Sequence, residues 1–263
     1  MTIFQSIILG IIQGLTEFLP VSSSAHLNIF PWLFGWQDIP DSFDIALHFG
    51  TLLALCIYFF KDWINLITAG FKQVVKKEKS SDGKIFWYLV IATIPTGLLS
   101  IILDKISDKY LEGRMLPIAI ALIVMGIILY LVDKKFSAEV KLENINFKQG
   151  FLIGLSQALA AAFPGVSRSG ITITTARAFK LDREGAAKYS FLLSAPIILA
   201  AVLAKVTDFV FNLPFVIGVL ASFVVGLIVI KVLMEYLKKG SYKVFAIYRI
   251  ILGIFILITL FIK

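Results

Sequence analysis

The sequence predicts an all-α polytopic membrane protein, an inverted-topology repeat of about six transmembrane helices plus two re-entrant helical hairpins. Three observations predict it. The 263 residues are 59% hydrophobic and only 16% charged, with a mean hydropathy of +0.90, whereas soluble domains carry roughly 25% charged residues. The apolar runs are about 17 to 21 residues long, close to the ~20 that carry a helix across ~30 Å of hydrocarbon, while barrel strands would be ~10 residues with alternation. A broken stretch in the first half recurs in the second at a nearly fixed displacement.

The first apolar segment runs from about Ile3 to Phe34 and is interrupted by Pro20 and the run Ser22, Ser23, Ser24. No Lys or Arg precedes it and its first charged residue is Glu17, so it lacks a signal-peptide pattern and the mature chain is expected to start at Met1. Phe43 to Phe60 is the first uninterrupted span, followed by a lysine-rich loop through Lys84. Ile85 to Leu103 and Leu116 to Val132 come next, and the polar linker Asp133 to Asn146 is the expected boundary between halves. A second broken segment, Phe147 to Phe179, precedes spans at Tyr189 to Ala204, Leu213 to Val232 and Val244 to Ile262. Cys56 is the only cysteine and lies within a span, which excludes an intramolecular disulfide and a cysteine-built metal site. Trp32, Phe34 and Trp36 read as an interfacial belt.

Gly10, Gln13, Leu15 and Pro20 recur at Gly154, Gln157, Leu159 and Pro164, each displaced by 144. After one inserted Gly, Ser22 matches Ser167 and Ser24 matches Ser169. The chain therefore reads as one transmembrane domain, 1–263, built from repeats of about 1–133 and 147–263. If each broken segment enters and leaves on one side, every half holds three full spans. An odd number of spans inverts the second half, the architecture in which broken helices meet near the midplane. Gly10 and Gly14, echoed by Gly154 and Ala158, form a small-residue pattern that lets helices approach closely.

The basic residues agree with this arrangement. Eighteen Lys and Arg fall in loops assigned to one side and five to the other, which also carries Asp38 and Asp41. Positive-inside bias then puts both termini outside. The net charge of +8 is explained by these short loops, so nucleic acid is not an expected partner.

The chemistry concentrates at the two breaks, Gln13 to His26 and Pro164 to Arg177. Gln13 and Glu17 are four apart and share a helical face, and a carboxylate in hydrocarbon is functional by default. His26 follows the serines; His48, the only other histidine, is expected to be a hydrogen-bonded helix residue. Arg168 stands between Ser167 and Ser169, after Pro164 and Gly165 and before Gly170 and Thr172. Such a link can aim N–H groups and hydroxyls at one point, and a guanidinium fork suits phosphate oxygens. The repeats have divided labour: Ala161 stands where the first half has Glu17, and Ser23 stands where the second has Arg168. A composite site between halves results, with an inventory that suits phosphoryl transfer or hydrolysis. Arg249 reads either as half of an ion pair between halves or as a cytoplasmic-side anchor.

These motifs resemble those of the undecaprenyl-pyrophosphate phosphatase family, the integral-membrane enzymes associated with bacitracin resistance. The resemblance covers nearly the whole chain, including Tyr189 to Pro196 and Phe245 to Leu252. It implies hydrolysis of undecaprenyl pyrophosphate to the monophosphate carrier and inorganic phosphate, which recycles the carrier for cell-wall synthesis. It also implies a divalent cation, Mg²⁺ or Ca²⁺, a cytoplasmic-membrane location, and a possible homodimer. In its terms Gln13 and Glu17 form the acidic motif and the candidate metal ligands, Ser22, Ser23 and His26 the serine-histidine stretch, and Pro164 to Thr172 the arginine motif. Gln13 stands where the family often has a second carboxylate. The expected mechanism clamps the diphosphate with Arg168, Ser167, Ser169 and local N–H groups. Ser23 is its preferred nucleophile and His26 its proton carrier, while Glu17 orients His26 or holds the cation. A phosphohistidine at His26 and direct attack by water stay open.

A transporter or lipid flippase is the rival reading, because inverted repeats with broken helices are also the build of alternating-access carriers. The type-2 phosphatidic acid phosphatases are disfavoured, since they need a histidine after their Ser-Arg motif and none comes after His48.

Overall fold

The computed structural model describes residues 1–36, 39–111 and 113–262, apart from the side chains of Asp41 and Asp108. Asp38, Lys263 and the Asp41 carboxylate, which enter the charge balance between the two sides, lie outside the described residues.

Helix α1 (Ile3–Thr16) starts on a capping box: Thr2 Oγ1 accepts from Gln5 N–H, and the Gln5 side chain accepts from Thr2 N–H. The first break comes next, and α2 (Ser23–Phe34) starts beyond Pro20 with Ser22 as its cap. Helices α3 (Asp41–Tyr58) and α4 (Phe60–Val75) meet at Phe59 with a 75° bend. The lysine-rich loop expected after Phe60 is thus largely helix. Lys61 and Lys72 sit on an amphipathic element whose Leu66 and Gly70, four apart, are buried, and Trp87 Nε1 of the next helix donates to Gly70 O at 3.2 Å. Helices α5 (Ser81–Leu111) and α6 (Met115–Lys135) complete the first half.

The second half begins on another capping box, in which Asn146 and Gln149 stand 144 residues after Thr2 and Gln5 and make the same two bonds. The broken segment forms α7 (Phe147–Ser156), α8 (Ala158–Ala162) and α9 (Arg168–Ala178), the last capped by Ser167. Helices α10 (Arg183–Lys205), α11 (Leu213–Leu237) and α12 (Lys243–Ile262) complete the chain. Among the described residues, five helices are long and apolar enough to cross a membrane, or six if α3 and α4 count as one bent span. The chain is an all-α, multi-pass membrane protein.

Between lipid-facing helices the hydrophobic effect gives no net drive, so close van der Waals approach does most of the work. Helix α1 lies on α11, where a Cβ on Gly10 would stand 2.5 Å from Gly218 O and one on Gly14 2.8 Å from Ser222 O. Helix α7 lies on α5, and α6 on α12. The connection between halves is tied down rather than loose. Asp133, in the last turn of α6, is buried and accepts from Arg177 Nε (2.9 Å), Arg183 Nε (2.9 Å) and Tyr242 N–H (3.2 Å). Val140 bridges Leu181.

Candidate active site

Each broken segment turns on a serine. Ser22 and Ser167 have φ of 74° and 72°, a backbone region that L side chains rarely adopt. What each returns is a helix cap: Ser22 Oγ accepts from Ala25 N–H at 3.3 Å, and Ser167 Oγ from Gly170 N–H at 3.0 Å. The first N–H groups of α2 and α9 have no partner within their helices, so two helix N-termini, each the positive end of a dipole, open at this level of the fold.

Glu17 stands just ahead of the first break, 7% exposed, and both of its oxygens are engaged. Oε1 accepts from Arg168 Nη2 at 2.9 Å. Oε2 accepts from Ser23 Oγ at 2.7 Å and from Gln13 Nε2 at 3.0 Å. Ser169 Oγ reaches the Glu17 and Leu19 carbonyls at 3.2 Å. The structure therefore brings Gln13, Glu17, Ser23, Arg168 and Ser169 into one cluster that joins both hairpins. The Arg168 side chain forms no other hydrogen bond among the described residues and is 21% exposed. Its remaining side-chain N–H groups have no partner among the described residues.

The other expected members lie at the edge of this cluster. Both nitrogens of the buried His26 are occupied: Nδ1 lies 2.7 Å from Ser22 O, a carbonyl that can only accept, so this nitrogen carries the proton. Nε2 then accepts from Tyr248 Oη at 2.7 Å. His26 therefore hydrogen-bonds neither Ser23 nor Glu17, and the expected orientation of its ring by Glu17 does not occur. Thr172 Oγ1 donates into its own helix and meets Ser190 Oγ at 2.6 Å, so it braces α9 on α10 rather than joining the anion cradle. Gly170 supplies the N–H that caps onto Ser167.

Two residues escape the sequence reading. His48 Nε2 lies 3.4 Å from Glu17 Oε2, while its Nδ1 is held by Asp44 O at 2.7 Å. An imidazole in mid-span is the available signal. Arg249 is fully buried and bonds only carbonyls, those of Pro20, Gly165, Val166 and Leu122. Among the described residues it is half of no ion pair, and its burial inside the fold is not that of a cytoplasmic-side anchor.

The residues do not fit a divalent cation held by the protein. Among the described residues no three His, Cys, Asp or Glu side chains converge. The one carboxylate has donors on both oxygens, one of them a guanidinium. Gln13 turns its NH₂ toward Glu17 and leaves only a buried, unpartnered Oε1. What the cluster can do is accept a proton from the Ser23 hydroxyl and hold an anion on Arg168 and two helix N-termini.

The model of the family described as Bacitracin resistance protein BacA matches residues 6–255. Among relatives named undecaprenyl-diphosphatase, that of Caldicellulosiruptor bescii is 47% identical over 262 residues, covering 98% of this chain and 97% of its own. That of Desulforudis audaxviator is 46% identical over 258 residues, 97% of each chain. That of Moorella thermoacetica is 43% identical over 266 residues and the whole of both.

Proposed function

This chain belongs to the bacitracin resistance protein family, and from that premise we propose that the Glu17 cluster is where it works. The activity is that of an undecaprenyl-diphosphatase: it hydrolyses undecaprenyl diphosphate to undecaprenyl phosphate and inorganic phosphate, recycling the lipid carrier. Bacitracin resistance is the family's association.

The observation that carries the site assignment is the sharing of one buried carboxylate by the Ser23 hydroxyl and the Arg168 guanidinium, from opposite hairpins. On this reading the terminal phosphoryl group takes over the free N–H groups of Arg168 and the N-termini of α2 and α9. Ser23 Oγ attacks the terminal phosphorus, its proton passing to Glu17. The Oγ–P bond forms as the anhydride P–O bond breaks, and undecaprenyl phosphate leaves. Water then attacks the phosphoserine, the Oγ–P bond breaks as Glu17 returns the proton to Oγ, and inorganic phosphate leaves as dihydrogen phosphate, carrying both hydrogens of the water. Positioning and fixed charges supply most of the acceleration. His48, beside the same carboxylate oxygen, is placed to hold Glu17 in register, while His26 and Tyr248 brace the start of α2.

The divalent cation implied by the resemblance would arrive on the diphosphate oxygens, since the described residues offer no preformed cage. The isoprene units next to the diphosphate would lie in the apolar cleft of about 550 Å³ lined by Leu52, Cys56, Trp63, Ile94, Pro196 and Leu199, with the rest of the chain in lipid. Leu52 comes one turn of α3 after His48, which sets this cleft beside the cluster. The proposed frame is the inverted repeat, about 1–133 and 147–263, with both termini outside in the cytoplasmic membrane. It is supported by the matching capping boxes, the matching serines and the pairing of α1 with α11 and of α7 with α5. A homodimer stays part of the reading, to be tested by mass in lipid nanodiscs.

Phosphate release from undecaprenyl diphosphate by the purified protein is the test. Release by the native chain that Glu17→Ala and Arg168→Ala both abolish supports the composite site. Full release by either variant would move the chemistry elsewhere, and lipid binding without release by the native chain would favour a carrier.

A further inference from the structure

Arg249 is the only cation in the fold's interior that no carboxylate answers among the described residues. Its side chain is fully buried. Nη1 donates to Pro20 O at 3.0 Å, Nη2 to Gly165 O at 2.9 Å and Val166 O at 3.0 Å, and Nε reaches Leu122 O at 3.4 Å. The other buried arginine, Arg177, has Asp133 as counter-charge. The exception is therefore not a general habit of this core.

The carbonyls that Arg249 holds are not scattered. Pro20 is two residues ahead of Ser22, and Gly165 and Val166 immediately precede Ser167. One planar fork thus grips the backbone ahead of both positive-φ serines, one from each hairpin. Gly170 makes room for it, since a Cβ there would lie 2.6 Å from Arg249 Nη1. Three donor directions fixed in one plane are what a guanidinium offers and an ammonium does not.

The charge has a second consequence. Withdrawing a cation from water is costly unless an anion or a full set of dipoles compensates it. Carbonyl dipoles do part of this. Within the cluster Glu17 and Arg168 offset each other, so Arg249 leaves the two hairpin tips with a surplus of positive charge behind the N-termini of α2 and α9. An anion bound there would feel that surplus without touching it, and the more highly charged ligand would feel it more.

We infer that Arg249 is a positioning residue that sets the two hairpin tips in register and whose unanswered charge makes the site prefer a lipid diphosphate over the lipid monophosphate it produces. The inference rests on the phosphatase reading. It gives the enzyme a means of holding substrate and releasing product that needs no contact between Arg249 and either.

The test compares native protein with Arg249→Lys and Arg249→Gln, purified in detergent. The probes are a non-hydrolysable methylene-bridged bisphosphonate of a polyprenyl alcohol and the corresponding monophosphate. Turnover and thermal unfolding are measured alongside. Arg249→Gln should weaken bisphosphonate binding by about tenfold or more, the scale for losing one charge interaction in a desolvated site, while monophosphate binding changes much less. Arg249→Lys keeps the charge, so the ratio of the two affinities should stay near native while kcat falls, because one ammonium cannot span both tips. Equal loss of both ligands in Arg249→Gln would reduce Arg249 to a structural brace and overturn the charge inference. Native kcat in Arg249→Lys would overturn the positioning inference. If Arg249→Gln does not fold, the Lys variant decides alone: a collapsed affinity ratio with the charge retained would contradict the proposal. Failure of the native protein to bind the bisphosphonate or release phosphate would instead strike the phosphatase reading beneath it.

Discussion

Ser167 reproduces at the head of α9 what Ser22 does at the head of α2. Their φ values are 72° and 74°, each hydroxyl accepts the N–H three residues on, and each lies 3.3 Å from the serine hydroxyl two residues on. The pair differs in the next residue along the chain, Ser23 after one and Arg168 after the other. A shared backbone device thus presents a hydroxyl from one hairpin and a guanidinium from the other to the same carboxylate.

The strain at these serines should be measurable. Ser167→Ala keeps the unfavourable φ and loses the cap, a loss of about 1 kcal/mol. Ser167→Gly loses the cap for a few tenths and sheds a backbone cost of about 1–3 kcal/mol. Thermal unfolding should therefore rank Gly at or above native and Ala below it. An Ala variant as stable as native would mean that the cap contributes nothing.

Asp133 should be the costliest single residue outside the site. Asp133→Ala leaves Arg177, 1% exposed, and Tyr242 N–H without their shared acceptor. Breaking a buried pair from one side costs about 3–5 kcal/mol. A fall of several degrees in the unfolding midpoint, with residual phosphate release in the folded fraction, is the expected result.

That residue also illustrates what a sequence can carry. The spans are legible because a run of some 20 apolar residues has few other uses, and Glu17 and Arg168 because ionisable groups in such runs are expensive. Asp133 reads as the edge of a polar linker because nothing in a one-dimensional pattern brings Arg177 and Arg183 to it. Lysine content disguises α4, whose buried Leu66 and Gly70 keep helical spacing. Arg249 is opaque for a plainer reason: its partners are backbone carbonyls, which every residue has.

Cys56 gives the apolar cleft its own test. It is exposed, lines the cleft and is the only cysteine in the chain. Alkylation with a bulky maleimide should raise KM for undecaprenyl diphosphate about tenfold, the scale of losing one or two buried methylene contacts. Farnesyl diphosphate, too short to fill the cleft, should be affected much less. Equal inhibition of both substrates would place the tail elsewhere.

Cation binding should depend on the ligand. Titration of the substrate-free protein with Mn²⁺, followed by electron paramagnetic resonance, should show no stoichiometric site. Adding the bisphosphonate should create one. A tight site in the free protein that Glu17→Gln removes would contradict the assignment of the ion to the diphosphate.

The most direct measurement is acid quench of the native enzyme during turnover of undecaprenyl diphosphate labelled in its terminal phosphoryl group, with peptide mapping of the quenched protein. The account predicts an acid-stable phosphoserine at Ser23, absent from Ser23→Ala and much reduced in Glu17→Gln. Alkali-stable, acid-labile label on His26 in a parallel alkaline quench, or rapid turnover in Ser23→Ala, would contradict it.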